Sequence, residues 1–315
     1  MSNRVIIVML FIVSSTWVHG QNLDSILARS IAASVHLDSV VIAATRQGFE
    51  VEDFMQLVRE DESLHNAFHN LRRISCHFES EMEFKNKKDK GKAAMSGRYD
   101  QQFDGKCRRL LSTEELGSGN YFKGKKKKLR YYTAKLYDRV FITHGEICDP
   151  VGFSADPPES GDAIDGHMEE LKKLIFSPGS KANVPFISSK TELFSEEMWK
   201  YYDFYITSDT LSDEPVYVFN ATVKDAYVDK ESKTVFKTLT TYFSKSDFQV
   251  LSRTYRLAYS TLIYMFDVTM HIDLVRIDGI YYPSYIKYDG TWNVPTKKRE
   301  SGFFTVKFDT FQMEY

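Results

Sequence analysis

Residues 262–274 alternate between a wholly apolar set and a mostly polar one. Leu262, Tyr264, Phe266, Val268, Met270, Ile272 and Leu274 form one set; Ile263, Met265, Asp267, Thr269, His271 and Asp273 form the other. Successive side chains of a strand point to opposite faces, so this is a long strand with a dry side and a wet side. A one-residue slip would turn the whole apolar set to water, which fixes the register. At about 3.3 Å per residue the run reaches roughly 45 Å. A dry face of that length has to be covered, either by helices or by a ligand.

The neighbouring sequence reads the same way. Residues 216–228, 233–243, 248–259, 280–288 and 302–311 are further strand candidates, and their connections are short. Asp278-Gly279 and Asp289-Gly290 are hairpin-turn dipeptides. Short links force antiparallel neighbours, because a parallel return needs a dozen residues or more. Upstream, Ile74, Cys76, Phe78, Met82 and Phe84 alternate with His77, Glu79, Glu81 and Glu83, and residues 93–103 follow as a return strand. A second pair is expected between 107–111 and 129–142, joined by a glycine- and lysine-rich turn. Before residue 74 the period is helical: Phe54, Leu57 and Val58 share one face, as do Leu64, Ala67, Phe68 and Leu71. A further helix is expected over 162–176, after a breaker-rich linker at 149–161.

Arg4, the apolar run 5–13 and the small residues that follow have the order of a secretory signal peptide, with cleavage expected after Gly20. The apolar run is too short for a bilayer core, which takes roughly 20 residues. No cysteine stands at the cleavage point, so a lipid anchor there is not expected. The expected organisation is a signal peptide at 1–20, a helical segment at 21–73, and a β domain at 74–315 that carries the helix 162–176. The fold class is α+β: a large curved antiparallel sheet, a half-barrel, with helices on its concave face.

Export permits disulfides. Of the three cysteines, Cys76 sits in strand alternation, whereas Cys107 and Cys148 lie near the turn glycines Gly105 and Gly145. A Cys107–Cys148 bridge is the expected pairing, and three free thiols are the alternative. The formal charge of −2 gives no field that would favour nucleic acid.

Some residues match known families. Residues 238–252, with Phe266-Asp-Val-Thr-Met270 and Tyr282-Pro-Ser-Tyr-Ile-Lys-Tyr288, resemble an uncharacterised family of exported Bacteroidetes proteins. The strand, Ser-Lys-Ser-Asp-Phe and strand pattern also resembles the LolA/LolB-like lipoprotein carriers, over residues 74–311. That resemblance implies an incomplete antiparallel barrel, with helices across its open face, enclosing an apolar cavity for acyl chains. It transfers no ligand residues.

Candidate chemistry is sparse. His65 and His69 are one helical turn apart, but local spacing supplies no third metal ligand, and a solvated helix face explains them as well. Asp267, His271 and Asp273 share the polar face of one strand, where an Asp–His pair could do acid–base work; no nucleophile turn accompanies them. Asn220-Ala-Thr222 fits a glycosylation acceptor. The lysine-rich stretches 85–92 and 123–128 could touch anionic lipid head groups. The function these residues point to is non-catalytic binding of a lipid or other apolar small molecule, lined by Tyr264, Phe266, Val268, Met270 and Trp292, which as simple core residues would fit equally. The alternatives are a protein-interaction or scaffold module at the outer membrane and a hydrolase of unrecognised type. No cofactor and no metal are expected.

Overall fold

The computed structural model describes residues 51–85, 91–125, 128–148, 170, 174, 179–184, 187–230, 232–261, 265–293 and 299–312. The signal peptide and cleavage site, the linker 149–161 and nearly all of the expected helix 162–176 lie outside the described residues; Leu174, from that helix, is fully buried.

Two helices come first, α1 (Val51–Glu60) and α2 (Ser63–Leu71). They are followed by β1 (Ser75–Lys85), β2 (Gly91–Phe103), β3 (Cys107–Gly119), the small hairpin β4 (Phe122–Lys123) and β5 (Lys128–Leu129), helix α3 (Tyr132–Phe141) and β6 (Glu146–Cys148). The short helices α4 (Ser188–Thr191) and α5 (Glu196–Trp199) lead into β7 (Tyr202–Leu211) and β8 (Glu214–Val223). After α6 (Asp225–Val228) come β9 (Phe236–Ser244), β10 (Val250–Ser260), β11 (Met265–Ile277), β12 (Ile280–Asn293) and β13 (Glu300–Gln312).

Eleven strands form one sheet, in the order β6-β3-β2-β1-β13-β12-β11-β10-β9-β8-β7. Every pair is antiparallel, and the sheet does not close, so the expected fold class is borne out. Cross-strand partners carry one dry face from strand to strand: Tyr99 beside Phe78, Phe78 beside Phe308, Phe304 beside Tyr288, Tyr288 beside Met270, and Met270 beside Tyr255. All of these are buried. The helices gather on this face. Phe54 of α1 meets Tyr217 and Phe243, and Phe141 of α3 meets Phe304, Phe308 and Phe68 of α2. Each fully buried Phe adds about 1.5–3 kcal/mol.

Two expectations fail for identifiable reasons. Residues 129–142 are not a strand; most of them form α3. Thr133, Ala134, Leu136, Tyr137, Val140 and Phe141 are buried at helical spacing. The N–H groups of Tyr132 and Thr133, in the first turn, donate to the two oxygens of Glu300, at 2.7 Å each. A carboxylate there satisfies orphan donors and meets the positive end of the helix dipole. It comes from β13, out of reach of any local sequence window.

Asp289-Gly290 is not a turn either, since β12 runs straight through it to Asn293. Gly290 is required by a side chain rather than by the backbone. A Cβ there would stand 2.1 Å from the Tyr288 hydroxyl, because that ring lies across the glycine. Asp278-Gly279 is a true turn, with both residues at positive φ (49° and 84°).

At the other side of the sheet, β3 is paired with β6 over three residues only. The β2–β3 register skips Thr113, which brings Leu111 and Leu116 to the same face. Both are exposed.

Candidate functional site

The residues expected to line a ligand site fall mostly in the packed core. Phe266, Val268 and Met270 are buried, Trp292 is partly buried, and Tyr264 lies outside the described residues. Phe266 pairs with Trp292 across β11 and β12, ring centroids 5.4 Å apart, and lies 6.2 Å from Tyr259 on β10. Tyr132 at the start of α3 meets Trp292 edge-on at 6.2 Å, and Trp292 Nε1 donates to the Tyr288 hydroxyl. Val268 faces Gly290, and the Tyr255 hydroxyl donates to Met270 Sδ. Phe266 and Tyr259 also take part in a groove of about 500 Å³ at the ends of β8–β11, most of whose lining, with Thr238, Ala258 and Met265, belongs to the wet face. Lys237, Arg256 and Asp267 lie along its polar side.

On the wet face, Asp267 and His271 are not brought together. Asp267 takes a two-pronged ion pair from Arg256, at 2.9 and 2.7 Å. His271 stands between the Thr254 hydroxyl (Nδ1, 2.7 Å) and Asp273 (Nε2, 2.8 Å), and Asp273 also accepts from the Ser252 hydroxyl. Burial would raise the Asp273 carboxyl, but the hydrogen bonds from His271 and Ser252 hold it below the usual carboxylate range. Thr254, His271 and Asp273 thus stand in the order of nucleophile, base and orienting acid. Thr254 lies in a strand paired on both sides, so the ladder uses the N–H groups that could otherwise stabilise an oxyanion.

Asn220, of the glycosylation motif, is half-buried within β8 and accepts from Thr240 Oγ1. His65 and His69 lie on α2; burial, then Arg73, His65 and Arg72, pull the His69 imidazole down. Among the described residues, one group of His, Cys and carboxylate atoms lies within 4.8 Å of one another: Cys107, Glu146 and Cys148. The two sulfurs there are bonded to each other across the β3–β6 pair, so they are not free as ligands. Cys76 is buried, which pushes its thiol up to about 12. Beside the bridge lies a second cavity of about 480 Å³, lined by Cys76, His77, Asp100, Gln101, Cys107 and Arg109 among others.

No protein-family model matches the chain, and no curated protein matches it. Among solved structures it is similar to a DUF1329 family protein from Desulfovibrio piger, with 10% identity over 85% of this chain and 92% of that one, at a TM-score of 0.24. It is also similar to an outer membrane lipoprotein-sorting protein domain from Vibrio parahaemolyticus, with 9% identity over 84% and 90%, at a TM-score of 0.26. The carrier part of the sequence resemblance has a counterpart here; the Bacteroidetes part has none. Overlaps this loose transfer neither residues nor activity.

Sequence patterning missed two arginines on the dry face. Arg253 is fully buried, and its guanidinium donates to Asp61 Oδ2 at 3.1 Å and to Thr241 Oγ1 at 3.1 Å. Asp61 lies between α1 and α2, and its other oxygen holds Ser63, whose hydroxyl in turn accepts from the Val250 amide. This node ties the helices to β9 and β10. Arg108, on β3, is 3% exposed, and its Nε has no hydrogen-bond partner. A signal was present in the sequence: each arginine stands at an inward position of a strand pattern.

Proposed function

We propose that the chain is a non-catalytic envelope protein that binds a lipid or acyl chain between its helices and the dry face of its sheet, entered past Phe266 and Trp292. The observation that supports this is the buried apolar face that runs from strand to strand across an open sheet under the helices, with a groove of about 500 Å³ at its rim whose lining includes Phe266 and Tyr259 beside the wet-face residues Arg256 and Asp267. Volumes of roughly 300–1,000 Å³ suit small ligands. Rings and methionines on this face can repack around a chain at low cost. Export with cleavage after Gly20 belongs to the same proposal, as does contact between lysine tips such as Lys123 and Lys128 and an anionic membrane, at about 1 kcal/mol per lysine. Among the described residues, no helix is long and apolar enough to cross a membrane.

The test is native mass spectrometry of the purified chain, followed by displacement of a fluorescent fatty acid with dodecanoate. A co-purified lipid and displaceable binding that weakens in Phe266→Asp support the proposal; a chain that carries no lipid and binds no probe overturns it. N-terminal sequencing of the mature protein should begin at Gln21.

A second reading, an interaction module, is favoured by the β3 edge. There Leu111 and Leu116 are exposed on one face of a strand that β6 covers only at its start. A stable complex in pull-down that is lost with Leu116→Lys, with no bound lipid, would select it.

A further inference from the structure

We propose that the outer edge of β3 is where two copies of this chain pair, strand against antiparallel strand, about a two-fold axis. Six large apolar side chains are exposed among the described residues. Four of them, Leu111, Leu116, Phe122 and Ile147, lie on β3, on the hairpin that follows it, or on β6. The strand at the other end of the sheet, β7, carries none. β6 pairs with β3 at Cys107, Arg108 and Arg109, and beyond Arg109 no described strand lies on the outer side of β3. Residues 110–119 hold neither proline nor lysine, the side chains that usually guard such an edge. From Leu111 to Gly119 every residue is exposed. An edge of this kind is a template for another strand, which its backbone N–H and C=O groups would bind.

The side chains select the occupant. Thr113 is the extra residue of a bulge against β2, so Leu111, Glu114 and Leu116 stand on the wet face, and Ser112 and Glu115 on the other. Let a second β3 run antiparallel with its Leu116 opposite Leu111. Two-fold symmetry then sets Leu116 opposite the second copy's Leu111. The same register sets Glu115 opposite Ser112 and Glu114 opposite Thr113, and it lays the two bulges side by side. Leucine meets leucine on the wet face, glutamate meets hydroxyl, and no like charges are opposed. The glutamates are also drawn back toward β2: Glu114 by Arg98 at 3.1 Å, and Glu115 by the Tyr99 hydroxyl at 3.1 Å. The pairing runs over 110–117 and stops where β6 begins. A patch that complements itself in this way is what a two-fold interface requires. The pairing rests on the interaction-module reading of this edge and names its partner; it is independent of the lipid reading.

The experiment is sedimentation velocity of the mature chain across micromolar to sub-millimolar concentrations. The wild type should pass from monomer to dimer. Leu116→Lys breaks both leucine contacts at once, since each copy supplies one, and should weaken dimerisation about a hundredfold, roughly tenfold per contact. Leu111→Glu should do the same. Mixed in equal amounts, the Leu116→Lys and Leu111→Glu chains should associate with each other more tightly than either does with itself. One contact then sets lysine against glutamate, and the other stays leucine on leucine. Both positions are exposed, so both variants should fold as the wild type does, checked by thermal unfolding. A wild type that stays monomeric throughout, a dimer that Leu116→Lys leaves intact, or a mixture that associates no better than its components overturns the pairing. A monomer whose edge holds a different protein, in a complex lost with Leu116→Lys, overturns the pairing and leaves the interaction-module reading standing; a monomer that holds none removes both.

Discussion

Arg253 and Arg108 sit on the same face of one sheet, both nearly or fully buried, and they meet opposite surroundings. Arg253, in the middle of the sheet, has Asp61 brought to it by the turn between two helices, and Thr241 from the neighbouring strand. Arg108, near the β6 edge, feels the charge of Arg72, and among the described residues no carboxylate forms an ion pair with it. A dry face tolerates a charge where the chain delivers the opposite charge with it. Where the chain does not, the charge carries a desolvation cost that nothing repays. The first arginine therefore ties the helices to the sheet, and the second stays an uncompensated charge near its edge.

The largest expected effect breaks the closed pair. Asp61→Ala leaves Arg253 bare and should cost about 3–5 kcal/mol in urea unfolding, whereas the double change Asp61→Leu with Arg253→Met should recover most of it. A loss below about 1 kcal/mol in the single variant would mean that the node does not clamp the helices.

Next comes the edge that covers Arg108. The Cys107–Cys148 bridge spans a sequence separation of 41, for which chain entropy allows about 4 kcal/mol. Cys148→Ser should cost about 3 kcal/mol and loosen β6, seen as faster amide exchange at Ile147.

A third change compares packing in the two regions. Ala at Gly290 must displace the buried Tyr288 ring and should cost about 2 kcal/mol. Ala at Gly117, on the edge strand, meets only Met95 Sδ at 3.5 Å and should cost almost nothing.

The smallest effect is on the wet face. Asp273→Asn should cost about 1 kcal/mol, since hydrogen bonds to a charged acceptor weaken. The Asp273 carboxyl is held below its unfolded value. Its contribution is therefore present above about pH 4 and is lost as pH falls through the folded value. The difference between wild type and variant should shrink in acid, and a difference that grows there would refute the assignment.

Strand periodicity was legible because it is local. From residue 74 onward, the alternation located nine of the eleven strands of the large sheet and missed the two edge strands, β6 and β7. Errors arose where a distant residue changed the local answer. Helix α3 is aromatic and β-branched enough to pass for a strand, until Glu300 caps it and its buried positions are seen to recur at helical spacing. Gly290 is a turn residue by composition and a resting place for Tyr288 in fact. Of the five expected lining residues, Phe266, Val268 and Met270 are packed in the core, with Phe266 at the rim of a groove, Trp292 is partly buried, and Tyr264 lies outside the described residues. Alternation tells which side of a strand is dry, and it does not tell what covers that side.

The sequence by itself determined that this chain makes a wide antiparallel sheet with one apolar face, because side-chain direction in a strand follows from position alone. Only the tertiary structure decided which buried charge is answered and which is bare. The partners of Arg253 come from a helix turn 192 residues away and from a neighbouring strand. Coulomb attraction acts through space, and the distance along the chain does not reveal it.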